Sequence, residues 1–193
     1  MLINESGLVR AVKSAYRNGG YTVSNSGDTM AIYTENWFVK CKRAMLPRKV
    51  LATIVEHMGM IPDDGTPVSI DKADEPQIVM AEVASEDVAH WCVGERQDDA
   101  TMVPVTMQGY QIFQTEGGGA CWGVPFLCLG MIERDVAEHS AAVVVDGHRL
   151  AWSGDGEAVT VGAVRKATSS WAKEWERAVW AALESVDLHK EEV

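Results

Sequence analysis

Near the amino terminus, apolar residues recur first with a helical period and then with a strand period. Leu8 and Val12 mark one face of an amphipathic helix, for which Asn4 is the predicted N-cap. The alternating runs YTVS, TMAIY and WFVKCK then predict three antiparallel strands. A second helical stripe begins after Pro47, a residue that is favoured at helix starts. Residues 1–62 are therefore predicted to form an αβββα unit.

The pattern is weaker in the middle of the chain and becomes strand-rich after it. Over residues 63–99, VSI and QIVMAEV are candidate strands and SEDVAHWC predicts a short helix. Residues 100–193 contain many short apolar runs, and Asp146-Gly147 predicts a hairpin turn between two of them. A long final helix is predicted over residues 168–187. Because strands outnumber crossover helices, the sequence predicts an α+β fold with mainly antiparallel sheet.

The same pattern indicates where the chain divides. We predict the αβββα unit over residues 1–62, an acidic connecting segment over residues 63–99, and a β-rich unit with the C-terminal helix over residues 100–193. One continuous domain is the alternative, because a chain of 193 residues can bury a single shared core.

Neither the apolar runs nor the cysteines indicate a membrane protein or a secreted protein. No run approaches the roughly 20 apolar residues that cross a bilayer. Glu5 and Arg10 interrupt the region in which a signal peptide would have its apolar core. The four cysteines have no regular spacing, which is typical of reduced thiols. We expect a cytoplasmic protein that does not contact a membrane.

Charge is distributed unevenly along the chain. The chain has 17 Lys and Arg against 28 Asp and Glu, a net charge of −11. Residues 1–54 hold eight basic and three acidic side chains, whereas residues 55–99 hold two basic and twelve acidic ones. Direct binding of nucleic acid is disfavoured, because phosphate contacts require clustered Lys and Arg. A partner protein with a basic surface is favoured instead.

Nine carboxylates of the acidic segment are candidate protein-binding residues. They could form a field complementary to a basic groove, such as the nucleic-acid channel of another protein. An ordinary solvated surface is the alternative, and basic residues of the first helix could neutralise part of the field. The nine candidates are Asp63, Asp64, Asp71, Asp74, Glu75, Glu86, Asp87, Asp98 and Asp99.

Trp180 is a further candidate because of its position on the predicted C-terminal helix. At about 100° per residue, one apolar face comprises Trp171, Trp175, Ala178, Ala182 and Val186. Trp180 points almost opposite, among charged residues. A tryptophan on a polar face indicates cover by another part of the chain or by a second chain. A homo-oligomer joined through this helix is therefore one hypothesis.

The segment GACW at residues 119–122 resembles the nucleophile segment of papain-like cysteine proteases, in which C-G-[SA]-C-[WY] surrounds the catalytic cysteine. Gln114 lies upstream, where that family places an oxyanion glutamine. The resemblance is local and departs from the family in two respects. Gly118 replaces the first cysteine, and a glycine and a proline soon after Cys121 oppose the helix that the family's cysteine opens. We therefore set the papain-like assignment aside.

A generic cysteine hydrolase is a separate alternative, with Cys121 as nucleophile. His139 or His148 would be its base, oriented by Asp146 or Glu138, and the preceding glycines would offer amides to an oxyanion. The competing interpretation is a buried thiol beside a flexible loop. The spacings of Cys and His match no standard zinc module, and no phosphate-binding glycine motif is present. No metal or cofactor is predicted.

Taken together, the sequence favours a non-enzymatic protein. The leading hypothesis is an acidic interaction protein, with inhibition of a basic, nucleic-acid-binding surface as its sharper form. The alternatives are a cysteine hydrolase built on Cys121 and a structural homo-oligomer joined through the last helix.

Overall fold

The structure is a computed structural model that describes residues 1–92 and 94–189. Its helices are α1 (Glu5–Arg17), α2 (Arg48–Met58), α3 (Ala81–Cys92), α4 (Phe126–Leu129), α5 (Arg134–His139) and α6 (Glu174–Glu184), with a 3₁₀ turn at Arg43–Met45. Its strands are β1 (Tyr21–Ser26), β2 (Thr29–Tyr33), β3 (Trp37–Lys42), β4 (Val68–Ile70), β5 (Gln77–Ile78), β6 (Arg96–Met107), β7 (Tyr110–Thr115), β8 (Cys121–Pro125), β9 (Ala142–Val145), β10 (Arg149–Gly154) and β11 (Glu157–Gly162).

All the strands of the described residues belong to one sheet, in the order β5-β4-β1-β2-β3-β11-β10-β9-β6-β7-β8. Every pair of neighbouring strands in that order is antiparallel. The prediction of an α+β fold with mainly antiparallel sheet is therefore confirmed. Strands β3 and β11 join the two halves of the chain in a register that runs from Trp37↔Val161 to Cys41↔Glu157.

Residues 1–60 follow the predicted order of one helix, three strands and a second helix. Asn4 caps α1, since its side-chain oxygen accepts a hydrogen bond from the Gly7 N–H at 2.8 Å. The second helix ends at Gly59, whose φ of 74° lies in the left-handed region that favours glycine. The capping residues thus fix where both helices begin or end.

Side chains alternate between two packed faces of the sheet, as the strand period of two requires. Met30 and Ile32 of β2 belong to the main core, which α1, α2, α4 and α5 cover, whereas Ala31 and Tyr33 belong to a cluster on the opposite side. On that opposite side, α3 packs against β2 and β3, and α6 packs against β6, β7 and β8. We call the side that carries α3 and α6 the outer face.

In the acidic segment, α3 is longer and β5 is shorter than the sequence predicts. The run QIVMAEV forms a strand only at its first two residues, and α3 begins at Ala81, before the predicted SEDVAHWC helix. Ala84 and Trp91 are buried and Val88 is half-buried. Because these residues recur at i, i+4 and i+7, they bring one side of a helix onto the outer face. The helical spacing of the buried residues therefore determines the structure of this segment, although the run QIVMAEV also contains residues that favour strands.

The prediction of a long C-terminal helix is wrong, because α6 spans only 11 residues. Its start is fixed at Lys173, whose backbone N–H donates to the Glu176 carboxylate at 3.0 Å. Trp171 therefore lies before the helix, in a turn. Among the described helices, none is both long enough and apolar enough to span a bilayer.

Candidate binding cleft

A cleft of about 510 Å³ lies on the outer face, between α3 and the β1–β2–β3 half of the sheet. Its walls come from the loop after α1, from β1 and β2, from the β2–β3 turn and from α3. The lining residues are Asn18, Gly19, Gly20, Tyr21, Thr22, Tyr33, Thr34, Glu35, Asn36, Ser69, Asp87, His90 and Trp91. Most of them carry hydroxyl, amide, imidazole or carboxylate groups, so the cleft favours a polar ligand.

Trp91 holds the last turn of α3 against the sheet. Its ring stacks on Phe38 of β3, with centroids 6.2 Å apart and an interplanar angle of 14°. Phe38 in turn contacts the Tyr33 ring at 6.3 Å. The Arg149 guanidinium lies over Trp91, 5.7 Å from its centroid. These contacts fix one wall of the cleft, because they connect α3 to both β3 and β10.

Arg149 is a buried cation that links α3 to the turn between β9 and β10. Its guanidinium donates to the His90 carbonyl and to the Asp146 carboxylate. Asp146 also accepts a hydrogen bond from the Glu95 N–H at 2.8 Å. The Glu95 amide and the Arg149 side chain hold the pKa of Asp146 below its ordinary value. The turn predicted from Asp146 therefore also anchors the acidic segment to the second half of the sheet.

Tyr33 lines the cleft, and its hydroxyl is a buried polar group. The Tyr33 residue is only 4% exposed. Burial, and then the neighbouring Asp87 carboxylate, raise the pKa of Tyr33 to about 12, so the hydroxyl is protonated at neutral pH. The side chain of its cross-strand neighbour Thr22 interacts with the hydroxyl and opposes this rise in pKa.

The nine candidate carboxylates lie on four segments of the chain. The group at residues 63–64 lies beside the β1–β2 turn, where Asp64 accepts a hydrogen bond from the Gly27 N–H at 2.6 Å. The group at residues 71–75 lies at the opposite end of β1, where Asp71 adjoins Gly20. The ends of a strand of this length are roughly 20 Å apart. Glu86 and Asp87 lie on α3, and Asp98 and Asp99 lie on β6. Because carboxylates occupy both ends of β1, the nine do not form one compact patch.

None of these nine carboxylates forms an ion pair within the part of the chain that the structure describes. Eight of them are exposed, and Asp71 is half-buried. The ion pair of residues 1–54 joins Lys49 to Glu5 at 3.5 Å, and Arg17 of α1 lines a surface pocket together with Asp71 and Lys72. Asp87 is the member of the set that lines the cleft.

Trp180, predicted as a protein-binding residue, is fully buried within its own chain. It packs on the outer face against Val103, Ile112 and Cys121. Gly123 of β8 provides the room, because a Cβ at this position would lie 2.7 Å from the Trp180 ring. The prediction that Trp180 binds a partner is therefore wrong for its side chain, which another part of the same chain covers.

The predicted apolar face of the last helix points away from the sheet. Trp171, Trp175 and Val179 are 69%, 54% and 40% exposed. The predicted direction is wrong because the buried side of α6 is a mixture of apolar and charged residues. A prediction from hydrophobicity alone therefore assigns the exposed side of α6 as the buried one.

Two ion pairs and Trp180 together orient α6. Glu184 pairs with Arg165 at 2.8 Å, and Glu176 pairs with Lys166 at 2.8 Å. Because positions 176, 180 and 184 are successive i, i+4 neighbours, the two carboxylates and the tryptophan share one side of the helix. Lys166 holds the pKa of Glu176 below its ordinary value, as does a hydrogen bond from the backbone of the N-cap residue.

Cys121 does not lie in the environment of a nucleophile. Its side chain is fully buried, and burial, followed by the Glu184 charge, raises the pKa of the thiol to about 11. His139 and His148 each hydrogen-bond to a backbone carbonyl of their own segment. The geometry therefore gives no support to the hydrolase alternative. Within the described residues, no group of three or more His, Cys, Asp or Glu is placed to hold a metal ion.

Gln114 has a structural role that sequence reasoning missed. Its side-chain amide donates to the carbonyls of Leu183 and Val186 at 3.3 and 2.8 Å, and its side-chain oxygen accepts from the Leu188 N–H at 2.9 Å. Carbonyls at the end of a helix lack partners within the helix, so this side chain satisfies them. The resemblance that suggested an oxyanion glutamine therefore marks the contact that holds the end of α6 against β7.

Comparisons with known proteins do not assign the chain to a family. No family model matches it, and no curated protein matches it. Among solved structures, the chain is similar to a protein described as a "Putative DNA polymerase III beta subunit" from Eubacterium rectale ATCC 33656. The two chains are 7% identical with a TM-score of 0.37, over 92% of this chain and 67% of the other. This likeness is too distant to carry an argument about function.

Proposed function

We propose that this protein is a non-enzymatic interaction protein that engages a basic macromolecular surface through the carboxylates of residues 63–99. One observation carries the proposal: within the described residues, none of the nine candidate carboxylates has an ion-pair partner. Exposed carboxylates that form no ion pair within their own chain can interact with the cations of a partner. Their distribution over both ends of β1 suits an extended partner surface better than a small ligand.

The sharper form of this proposal is an inhibitor of a nucleic-acid-binding protein. Carboxylates presented at several separated places would compete with phosphates for the Lys and Arg that line a nucleic-acid channel. Such a field also accelerates encounter with a basic partner, and the acceleration falls as salt screens the charges.

A titration with a defined basic probe tests the proposal. A fluorescent oligolysine peptide is titrated with the protein at about 0.05 M and about 0.15 M salt, where the screening length differs. Binding is expected at the lower salt and is expected to weaken markedly at the higher salt. Displacement of a DNA strand from the same peptide tests the inhibitory form. Binding that is absent, or that is indifferent to salt, would contradict the proposal.

Matched neutralised variants separate the acidic segment from net charge alone. The combined variant Asp98→Asn and Asp99→Asn removes two exposed carboxylates of the segment. The control, Glu116→Gln and Asp155→Asn, removes two exposed carboxylates elsewhere and changes the net charge equally. Affinity for the peptide is expected to fall about fivefold in the first variant and to stay within about twofold in the control. Equal losses of peptide affinity in both variants would show that binding depends on net charge alone and not on the acidic segment.

A structural homo-oligomer joined through α6 is a second candidate, favoured by one observation. Trp171, Trp175 and Val179 together leave an apolar surface exposed on and before the helix. The expected result is a mass that rises with protein concentration in light scattering and that Trp175→Ser returns to the monomer value. A monomer at all concentrations would exclude this candidate.

A further inference from the structure

We propose that a second groove, lined by residues of α1, α4 and α5, binds a small carboxylate with an apolar body, such as a medium-chain fatty acid. The groove has a volume of about 330 Å³, which lies within the range of small-molecule pockets. It is on the side of the sheet that carries the main core, opposite to the cleft beside α3. The inference is independent of the proposed function, because none of the nine candidate carboxylates lines this groove.

Apolar side chains form much of the lining of the groove. Ile132 and Ala137 are buried members of the main core, and Met102 and Leu129 are half-buried against that core. Phe126 of α4 also lines the groove and is 49% exposed. Contact with an apolar ligand would remove part of this exposed surface from water, which is favourable. The lining therefore favours a ligand with an apolar body.

Arg10 of α1 supplies a positive charge at the same groove. Its Nη2 atom lies 3.8 Å from the position that a Cβ of Gly130 would occupy, at the end of α4. Arg10 forms no ion pair within the residues that the structure describes. Arg134 and Glu138 also line the groove, but they pair with each other at 2.5 Å. Two guanidinium groups against one carboxylate give the lining a charge of +1, in a chain whose net charge is −11.

Two further polar side chains of the lining are committed to the fold. The Gln111 side-chain amide donates to the carbonyls of Val103 and Val105 at 2.6 and 3.1 Å. The Asn4 side-chain oxygen caps α1 at the Gly7 N–H. Arg10 differs from both, because its guanidinium has a full charge and no carboxylate partner among the described residues.

Backbone contacts fix Arg10 relative to the apolar part of the lining. Gly7 of α1 packs so closely on Gly130 that an added Cβ would lie 1.5 Å from the Gly130 carbonyl oxygen. The Asn4 N–H donates to the Met131 carbonyl at 2.8 Å, and the residue after Ile132 donates to the Leu2 carbonyl at 2.8 Å. The groove is therefore formed before a ligand arrives, which lowers the entropic cost of binding.

A monocarboxylate fits this groove better than an alcohol or an amine does. Guanidinium binds a carboxylate through two parallel N–H donors, and such charge-assisted hydrogen bonds are stronger than neutral ones. The single net positive charge of the lining matches one negative charge on the ligand. An amine would be repelled by Arg10, and an alcohol would gain no charge-assisted bond.

The test titrates the whole chain with octanoate and with three probes that each lack one feature. Acetate lacks the apolar body, 1-octanol lacks the charge and octylamine reverses it. Octanoate is expected to bind saturably with a Kd of about 0.1–1 mM, with each of the other three at least about tenfold weaker. Methionine methyl signals in NMR locate the site: the Met102 signal should shift with octanoate, whereas that of exposed Met60, outside the groove, should not.

Two matched pairs of variants identify the contacting groups. Arg10→Gln is expected to weaken octanoate binding about tenfold, whereas Arg17→Gln, which makes the same charge change on an exposed residue of α1 outside the groove, should leave it within about twofold. Phe126→Ser should weaken binding about fivefold, and Leu127→Ser, at an exposed neighbour that does not line the groove, should not. Near-UV circular dichroism confirms that each variant is folded.

Three results would each overturn the carboxylate site. They are an absence of saturable octanoate binding, binding of 1-octanol or octylamine as tight as that of octanoate, and equal losses of octanoate affinity in Arg10→Gln and Arg17→Gln. Octanoate binding that shifts other methionine signals and leaves Met102 unchanged would place the ligand elsewhere and would also contradict the inference.

Discussion

At the scale of single residues, the structure changes the meaning of Gln114 and Cys121. Both were candidates for chemistry because of their order along the chain. In the fold, Gln114 satisfies carbonyls at the end of α6, and Cys121 lies under that helix with Trp180. Trp180, a candidate for binding a partner, is likewise buried within its own chain.

The buried position of Cys121 predicts that it resists alkylation. Because burial raises the pKa of its thiol to about 11, the reactive thiolate is scarce at pH 8. Iodoacetamide should therefore modify exposed Cys92 in the native protein and should modify Cys121 only after unfolding. Mass spectrometry of peptides from the native and the urea-unfolded protein measures both rates. Rapid native modification of Cys121 would restore the hydrolase alternative.

At the scale of elements, α3 and α6 are attached to the outer face in a similar way. Each helix inserts one tryptophan, Trp91 or Trp180, and each is tied down by a charged contact, with Arg149 serving α3 and Arg165 serving α6. The acidic segment is therefore a docked element with a cleft at its edge. The sequence predicts a connecting segment there, because the helical spacing of apolar residues in α3 is weak and the run QIVMAEV also fits a strand.

Two tryptophans of α6 offer a matched test of the helix orientation. Trp180→Ala should lower the free energy of unfolding by about 3–5 kcal/mol, since it empties a filled core site. Trp175→Ala should change it by less than about 0.5 kcal/mol, because Trp175 is exposed. Urea unfolding followed by circular dichroism measures both values. A larger loss for Trp175→Ala would indicate the orientation that the hydrophobic pattern alone predicted.

At the scale of the whole molecule, one sheet and one main core run through both halves of the chain. The main core includes Ile32 and Ile54 from the first half together with Phe113 and Leu150 from the second half. The division predicted at residues 62 and 99 stays a prediction. Its second boundary, however, falls inside β6, so a cut at that point would divide a strand.

Separate expression of the two halves tests whether they are independent domains. Fragments 1–94 and 95–193 would each lose half of the main core and expose an edge strand at the β3–β11 junction. Neither fragment is expected to unfold cooperatively alone, and the two should recover the native circular dichroism spectrum when they are refolded together. A cooperative transition in one isolated fragment would show that its half folds independently.

The sequence by itself determined the local features, because they depend on neighbouring residues. The cap at Asn4, the helical and strand periods of residues 1–60 and the turn at Asp146 all involve contacts within a few positions along the chain. The antiparallel class of the sheet followed from the same local periods and short turns. The excess of carboxylates in the middle of the chain was equally visible.

The tertiary structure alone decided the direction of α6, the docking of α3 and the cleft beside it. In α6, Glu184 and Glu176 lie on the buried side because Arg165 and Lys166 form ion pairs with them there. These cations lie outside the helix, so the hydrophobic pattern of the helix does not include them. In the cleft, Tyr33 and Asp87 are separated by more than fifty positions and meet through the sheet and α3. Burial and pairing depend on partners distant in sequence, so only the packed molecule could reveal them.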